Sequence, residues 1–438
     1  MGVIALKFGG SSLADAEHFK KVKSIIEADE RRKFIVVSAP GKRNSQDEKV
    51  TDLLLECYDK AHNKQNFDEP FEKVHQRYKD IIKDLGLDFS LDSDFDYIKL
   101  SILKHIGKDY IVSRGEYLNG RIMAEYLNVP FVDAADGIFF NEDGSFNSEK
   151  TNKAMHALLC GTDMAVVPGF YGSKENGTIK TFSRGGSDIT GAIVARAVKA
   201  DVYENWTDVS GMLMADPTAV DNPKPIEEIT YRELRELSYM GAKVLHEDAV
   251  FPVRIEGIPI NIKNTNRPDD KGTMIVKKAQ TETTETVITG IAGKQGFSSV
   301  YIEKDMMNSE VGFGRRVLQV FENHKIGFEH LPSGIDTMTV VVNSNDIKDI
   351  KPTLEAEIYK VTDADKIVFH EDLALIAVVG RGMVSTEGTA GRVFSALAKQ
   401  HINIRMIDQG SSELNIIIGI DNIRYKKALQ TIYNEFVG

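Results

Sequence analysis

Apolar and polar positions follow two rhythms along this chain, and the changes from one to the other predict its elements. Val3 to Phe8 is a short apolar run, the mark of a buried strand, and Phe19, Val22, Ile25 and Ile26 follow at helical spacing. A second run, Lys33 to Ser38, closes a β-α-β unit, a crossover that is nearly always right-handed and leaves loops at the strand ends. From about Thr51 to Ile111 the pattern turns helical and heavily charged, with Phe71, Val74, Tyr78, Ile81 and Ile82 on one face. This stretch reads as a helical excursion from the sheet. Strand-like runs return at Phe131–Val132, Ala165–Pro168 and Ile258–Ile262. That alternation predicts an α/β domain with a largely parallel sheet.

The polar stretch Lys277 to Thr286 has no apolar period and marks a linker, so the first domain is expected over 1–285. Beyond it the chain repeats itself. At an offset of 76 residues, Val317 to Ile347 lies over Val393 to Ile423 without a gap. Val317/Val393, Ile326/Ile402, Gly334/Gly410 and Ile347/Ile423 are identical pairs, and Arg316/Arg392 and Gly312/Gly388 extend the match backward. Each copy reads strand, helix, strand, glycine turn, strand, helix. This is a ferredoxin-like α+β module that lacks or borrows its last strand. The modules are expected over 286–370 and 371–438. Val378 to Met383 imitates the start of a dinucleotide-binding turn, but Ser385 stands where the third glycine would fall, and too little chain remains for a nucleotide domain.

Composition narrows the partners. Apolar content of 42% and charged content of 27% are ordinary for a globular protein, while a net charge of −11 argues against nucleic acid or an anionic membrane. Any anionic ligand must then be gathered by a few specific cations. Cys57 and Cys160 fit no metal or redox spacing, and no apolar stretch is long enough to span a bilayer, so a cytoplasmic location is expected.

Candidate chemistry sits at strand ends. Lys7-Phe8-Gly9-Gly10-Ser11-Ser12 joins a lysine to a glycine pair before a helix, where close backbone approach and free amides attract anions. The lysine precedes the glycines, so this is not a P-loop. A phosphate cradle and a tight turn with a surface lysine are both open readings. Ser183-Arg184-Gly185-Gly186-Ser187-Asp188 sets a cation and an anion on one glycine loop before a second helix, as an α-amino acid zwitterion requires. An ordinary helix cap with a local ion pair is its plain alternative. Ser113-Arg114-Gly115-Glu116 offers an acid expected at a helix start, Trp206-Thr207-Asp208 ends a strand, and Gly241-Ala242-Lys243-Val244 puts a lysine early in a helical run. Ser38 and Thr51 bracket a loop with Pro40 and Gly41.

Taken in order, KFGGSS, SRGE, SRGGSD, WTDVSG and GAKVLH, with the terminal repeat, closely resemble the monofunctional aspartate kinases, a branch of the amino acid kinase family that ends in two ACT modules. The resemblance covers essentially the whole chain and implies that the first domain is a three-layer, amino acid kinase-like α/β fold. It implies transfer of the γ-phosphoryl group of ATP, with Mg²⁺, to the β-carboxylate of L-aspartate, the first step toward lysine, threonine and methionine. Lys7, Asp208 and Lys243 then take the catalytic positions. Lys7, Gly9, Gly10, Thr207, Asp208, Lys243 and Val244 face the nucleotide. Ser38, Thr51, Glu116, Arg184, Gly185, Ser187 and Asp188 face aspartate, with Arg184 on its α-carboxylate and Asp188 with Glu116 at its ammonium. Mg²⁺ rides on ATP oxygens and water, with no protein ligand assigned.

The resemblance also implies an amino acid effector at the first module, held by Met307, Ser309, Gly312, Phe313, Gly314, Phe328, Glu329, Gly334 and Ile335. Glu329 is an anion suited to the side-chain ammonium of L-lysine. Paired modules imply a homodimer or a dimer of dimers. Leu213 and Thr218 depart from the tyrosine and arginine of many relatives in the nucleotide loop. Kinases of glutamate or acetylglutamate, and a non-catalytic amino acid sensor, are the rival readings.

Overall fold

A computed structural model describes residues 2–183, 185–242, 245, 247–279 and 287–438. The chain divides into two units, one of 1–212, 225–231 and 243–279, the other of 213–224, 232–242 and 280–438. Two short stretches inside the expected catalytic segment therefore cluster with the C-terminal half.

In chain order, the first unit runs β1 (Ile4–Phe8), α1 (Ala16–Glu27), β2 (Arg32–Val37), α2 (Val50–His62), α3 (Asp68–Leu85), α4 (Asp92–Leu103), α5 (Lys108–Leu127) and the short α6 (Ala134–Gly137). It continues through β3 (Phe139–Phe140), α7 (Ser148–Leu159), β4 (Ala165–Pro168), β5 (Tyr171–Lys174), β6 (Ile179–Thr181), α8 (Gly186–Ala197), β7 (Val202–Thr207) and β8 (Glu228–Thr230). After α9 (Tyr231–Tyr239), most of which clusters with the second unit, come α10 (Phe251–Glu256), β9 (Ile260–Asn264) and β10 (Thr273–Val276). The main sheet is ordered β4-β2-β1-β7-β9-β10-β8, and only the β9–β10 pair is antiparallel. Its central strands are buried on both faces, which is why β1 and β2 read as continuous apolar runs. Phe131 makes only an isolated bridge to Val166, so the strand expected there is absent. Its backbone pairing stops at two bonds, from the Val132 N–H to the Val166 carbonyl and from the Val166 N–H to the Pro130 carbonyl.

The second unit carries β11 (Gly290–Glu303), α11 (Phe313–Asn323), β12 (Thr337–Asn343), α12 (Ser344–Ile347), α13 (Lys351–Thr362), β13 (Lys366–Val379), α14 (Thr389–Lys399), β14 (Met406–Asp408), β15 (Asn415–Asp421) and α15 (Tyr425–Val437). One antiparallel sheet, β12-β11-β13-β15-β14, serves both modules. The residue 370/371 boundary falls inside β13, whose first half pairs with Phe297–Glu303 and whose second half pairs with Gly290–Lys294 and with β15. The second module thus borrows its missing strand from the first half of β11.

The repeat is gapless only through its helices. The helices 313–323 and 389–399 fall at the sequence offset, and Gly312 and Gly388 adopt φ of 84° and 79° at equivalent helix starts. The following strands, 337–343 and 415–421, are displaced by two more residues. Ile347 is wholly buried whereas Ile423 is 90% exposed. An even slip keeps the same strand face inward, so the apolar pattern conceals it.

Candidate active site

The site forms at the carboxyl ends of β1, β2 and β7, where open α/β sheets take their ligands. Lys7 pairs in register with Asn205, so both side chains leave the same face of the sheet. There they meet the first turn of α8. Lys7 Nζ lies 2.6 Å from Asp188 Oδ1, and Asn205 Nδ2 donates to the same oxygen at 2.9 Å. Lys7 is 8% exposed. The two motifs read separately in the sequence are therefore one ion-paired centre, and Lys7 keeps donor capacity beyond that contact.

The glycines close the cradle. Gly9 donates its N–H to the Trp206 carbonyl, and Gly41 donates to the Gly10 carbonyl at 2.8 Å. A Cβ on Gly10 would stand 2.8 Å from the Ala39 carbonyl oxygen, which no real side chain tolerates. A Cβ on Gly9 would point at Lys7 Nζ, 3.5 Å away, into space a phosphate oxygen can use. Gly185 starts α8 at φ 58°, a left-handed conformation glycine adopts without strain. Phe170 adopts φ 81°, costly for a bulky residue, and is held there by the Thr190 hydroxyl accepting its N–H. The neighbouring Gly169 packs against Ser187, leaving no room for a side chain between them.

Glu116 is not at a helix start but in the middle of α5, which begins eight residues earlier than its acid because Gly107 opens the helix. It is buried, one carboxylate oxygen has no protein partner among the described residues, and burial pushes its pKa up from 4.5 to about 8. Hydrogen bonds from backbone N–H groups, that of Ala39 first, oppose the shift only partly. Asn119, three residues on, donates to the Ser38 carbonyl at 2.7 Å. Ser38 in turn donates its N–H to the Phe8 carbonyl, and Thr51 lies in the first turn of α2. Arg114 of the same motif turns away, stacked on Tyr110, Tyr117 and Tyr171 beside a separate cavity of about 490 Å³.

Thr207 ends β7 and its hydroxyl donates to Asp208 at 3.2 Å; Asp208 is exposed. Arg184, Lys243 and Val244 lie outside the described residues, as does 280–286 of the expected linker. Leu213 and Thr218 cluster with the second unit. Among the described residues no group of three or more His, Cys, Asp or Glu side chains is arranged to hold a metal ion.

In the first module, the turn Met307–Ser309 meets the 328–337 loop, with Asn308 donating its N–H to the Ile335 carbonyl. Met307 and Phe313 turn their side chains into the module core, so only their backbone is available to a ligand. Gly312 and Gly314 flank Phe313, Gly334 donates to the Thr337 carbonyl, and Phe328 and Ile335 are exposed.

Asn205 and Asn119 escaped the motif reading. Each had a signal: an amide within the buried apolar strand of Trp206, and an amide one helical turn after Glu116.

A lysine-anchored glycine turn thus faces an acid on a Gly-Gly helix start, above a largely parallel sheet. Residues 2–264 match the model of the amino acid kinase family, and residues 376–436 match that of the ACT domain. Aspartokinase 3 of Bacillus subtilis (strain 168) is 39% identical over 450 residues, which cover 98% of each chain. The crystal structure of Clostridium acetobutylicum aspartate kinase is 49% identical, with a TM-score of 0.92 and full coverage of both chains. Two structures of E. coli aspartokinase III, one with aspartate and ADP and one with lysine and aspartate, share the fold at TM-scores of 0.76 and 0.75 and 22% identity, covering 99% and 100% of each chain. The chain belongs to the aspartokinase branch of the amino acid kinase family, and its activity is that of an aspartate kinase.

Proposed function

We infer that this site transfers the γ-phosphoryl group of ATP to the β-carboxylate of L-aspartate, giving 4-phospho-L-aspartate and opening the route to lysine, threonine and methionine. The observation that carries the reading is the Lys7–Asp188 pair, fixed by Asn205 beside the Gly9–Gly10 turn. It sets a cation next to the phosphate cradle and an anion next to the amino acid loop. Phosphoryl transfer needs in-line positioning and cations on the transferring group, and a carboxylate nucleophile needs no general base. Lys7 receives phosphate oxygens beside the Gly9–Gly10 turn, whose Gly9 N–H is already given to the Trp206 carbonyl, so the Gly10 amide is the one left for phosphate, with Lys243 as the second cation. Arg184 takes the α-carboxylate, and Asp188 with Glu116 takes the ammonium, beside Ser38, Thr51 and Ser187. Mg²⁺, when bound on the nucleotide, neutralises phosphate charge. ADP and aspartate in the E. coli relative support the substrate pair.

The test is an assay with hydroxylamine, which traps an acyl phosphate as the hydroxamate. Aspartyl hydroxamate formed only with ATP and aspartate is expected. A preference for glutamate or acetylglutamate, or no product at all, would overturn the reading in favour of its rivals.

Regulation by L-lysine belongs to the same reading: Glu329 offers a carboxylate at the first module, and the E. coli relative was crystallised with lysine. Coupling of about 1–3 kcal/mol makes a useful switch. Full activity in millimolar lysine would remove this part. Exposed Val311, Phe328, Ile335 and Ile407 supply apolar surface for a homodimer or dimer of dimers. Two unpaired cysteines, and no membrane-length apolar helix among the described residues, fit the cytoplasm.

A further inference from the structure

Helix α9 is encoded in the catalytic stretch of the chain, yet residues 232–242 cluster with the regulatory unit. Its contacts there come at successive turns. Glu233 is wholly buried, and its carboxylate accepts from the Thr289 hydroxyl and from the backbone N–H and guanidinium of Arg381, the latter at 3.0 Å. One turn on, Glu236 accepts from Asn415 Nδ2 at 2.6 Å. At the last residue, the Tyr239 hydroxyl donates to Glu329 Oε2. Lys294 Nζ lies 5.2 Å from the Tyr239 ring centroid. A charge with three donors this deeply buried is held firmly, because removing a partner strands it. The helix is thereby pinned to the second module at its start, while its end touches the acidic residue of the first module's effector segment.

We propose that Tyr239 is a residue of the effector site, supplied by the catalytic half of the sequence. Its hydroxyl occupies one oxygen of Glu329 and so orients the carboxylate, which leaves Oε1 to receive the side-chain ammonium of a basic amino acid. Because the hydroxyl belongs to α9, a ligand that engages Glu329 acts directly on that helix. Four residues further along the chain stands Lys243, the second nucleotide-side cation of the reading above. Tyr239 is therefore a positioning residue with two consequences, effector affinity and transmission. This inference rests on the reading of Glu329 as the acceptor for lysine.

The experiment uses the full chain, with lysine as the probe, and compares wild type, Tyr239→Phe and Glu329→Gln by calorimetry and by kinase assay. Tyr239 is half exposed and the substitution removes only a hydroxyl, so the fold survives. For Tyr239→Phe the expected result has three parts: turnover and both substrate KM values within twofold of wild type without lysine; lysine affinity roughly 3–10-fold weaker, the usual range for a net hydrogen bond; and lower maximal inhibition at saturating lysine. A merely structural residue would move the first of these and not the last. If Tyr239→Phe responds to lysine as wild type does while Glu329→Gln no longer binds it, the role of Tyr239 is overturned and the effector reading stands. If Glu329→Gln binds lysine normally, the effector reading falls first and this proposal with it.

Discussion

Lys7 and Asp188 place one cation, buried and shared, beside the glycine turn of an acidic protein, which is the device proposed above for holding anionic substrates. Replacing Lys7 by alanine leaves Asp188 with Asn205 and removes the donor proposed to meet the phosphate. The expected outcome is a loss of at least about 10²-fold in turnover with the circular dichroism spectrum retained, since one preorganised donor is worth about 2.7–4 kcal/mol. Near-normal steady-state turnover would contradict its role. Glu116 makes a second prediction. With a folded pKa of about 8, raised by burial, it holds a proton at neutral pH that the unfolded chain has already lost. Its contribution to stability is complete below about pH 4.5 and disappears as pH rises through about 8. An arriving ammonium pulls that pKa down, so aspartate binding at pH 7 should release up to about one proton. Calorimetry in buffers of different ionisation enthalpy reads this directly; Glu116→Gln should show no release and a higher aspartate KM.

At the scale of elements, the cradle depends on two loops in backbone contact. Gly10→Ala forces its Cβ against the Ala39 carbonyl, and a displacement of about 1 Å at such a site costs on the order of 10²-fold in rate. Stopped turnover with an intact melting transition is expected, and wild-type kinetics would show that the loops can part. What was legible beforehand follows the same division. KFGGSS and SRGGSD are local, and their glycines and charges announce chemistry without any tertiary knowledge. Their union through Asn205 depends on the register of β1 against β7, strands about two hundred residues apart, which no local pattern encodes. The strand runs of the central sheet were plain because both faces are buried. The two-residue slip before β15 was hidden because period-two burial is unchanged by it. Glu116 was misjudged as a helix-start acid because Ser113 and Gly115 imitate a cap in the interior of α5.

At the scale of the molecule, the two C-terminal modules are interleaved and not strung in series. The halves of β11 and β13 serve both, so ending the chain at residue 370 does not remove one module cleanly. It takes away β15 and leaves Ile291 and Ala292 without their cover on β13. The truncated protein is expected to lose the regulatory unit's cooperative unfolding or to melt about 10–20 °C lower, as a deficit of several kcal/mol implies for a unit of this size. An unchanged transition in scanning calorimetry would show that the modules fold separately.

The regulatory unit is also assembled from three separate stretches of the chain, two of them inserted within the catalytic sequence. Transplanting this unit onto another kinase by a single splice at the linker would carry over the sheet but leave behind residues 213–224 and 232–242. Such a hybrid would lack the carboxylate of Glu233 that neutralises Arg381.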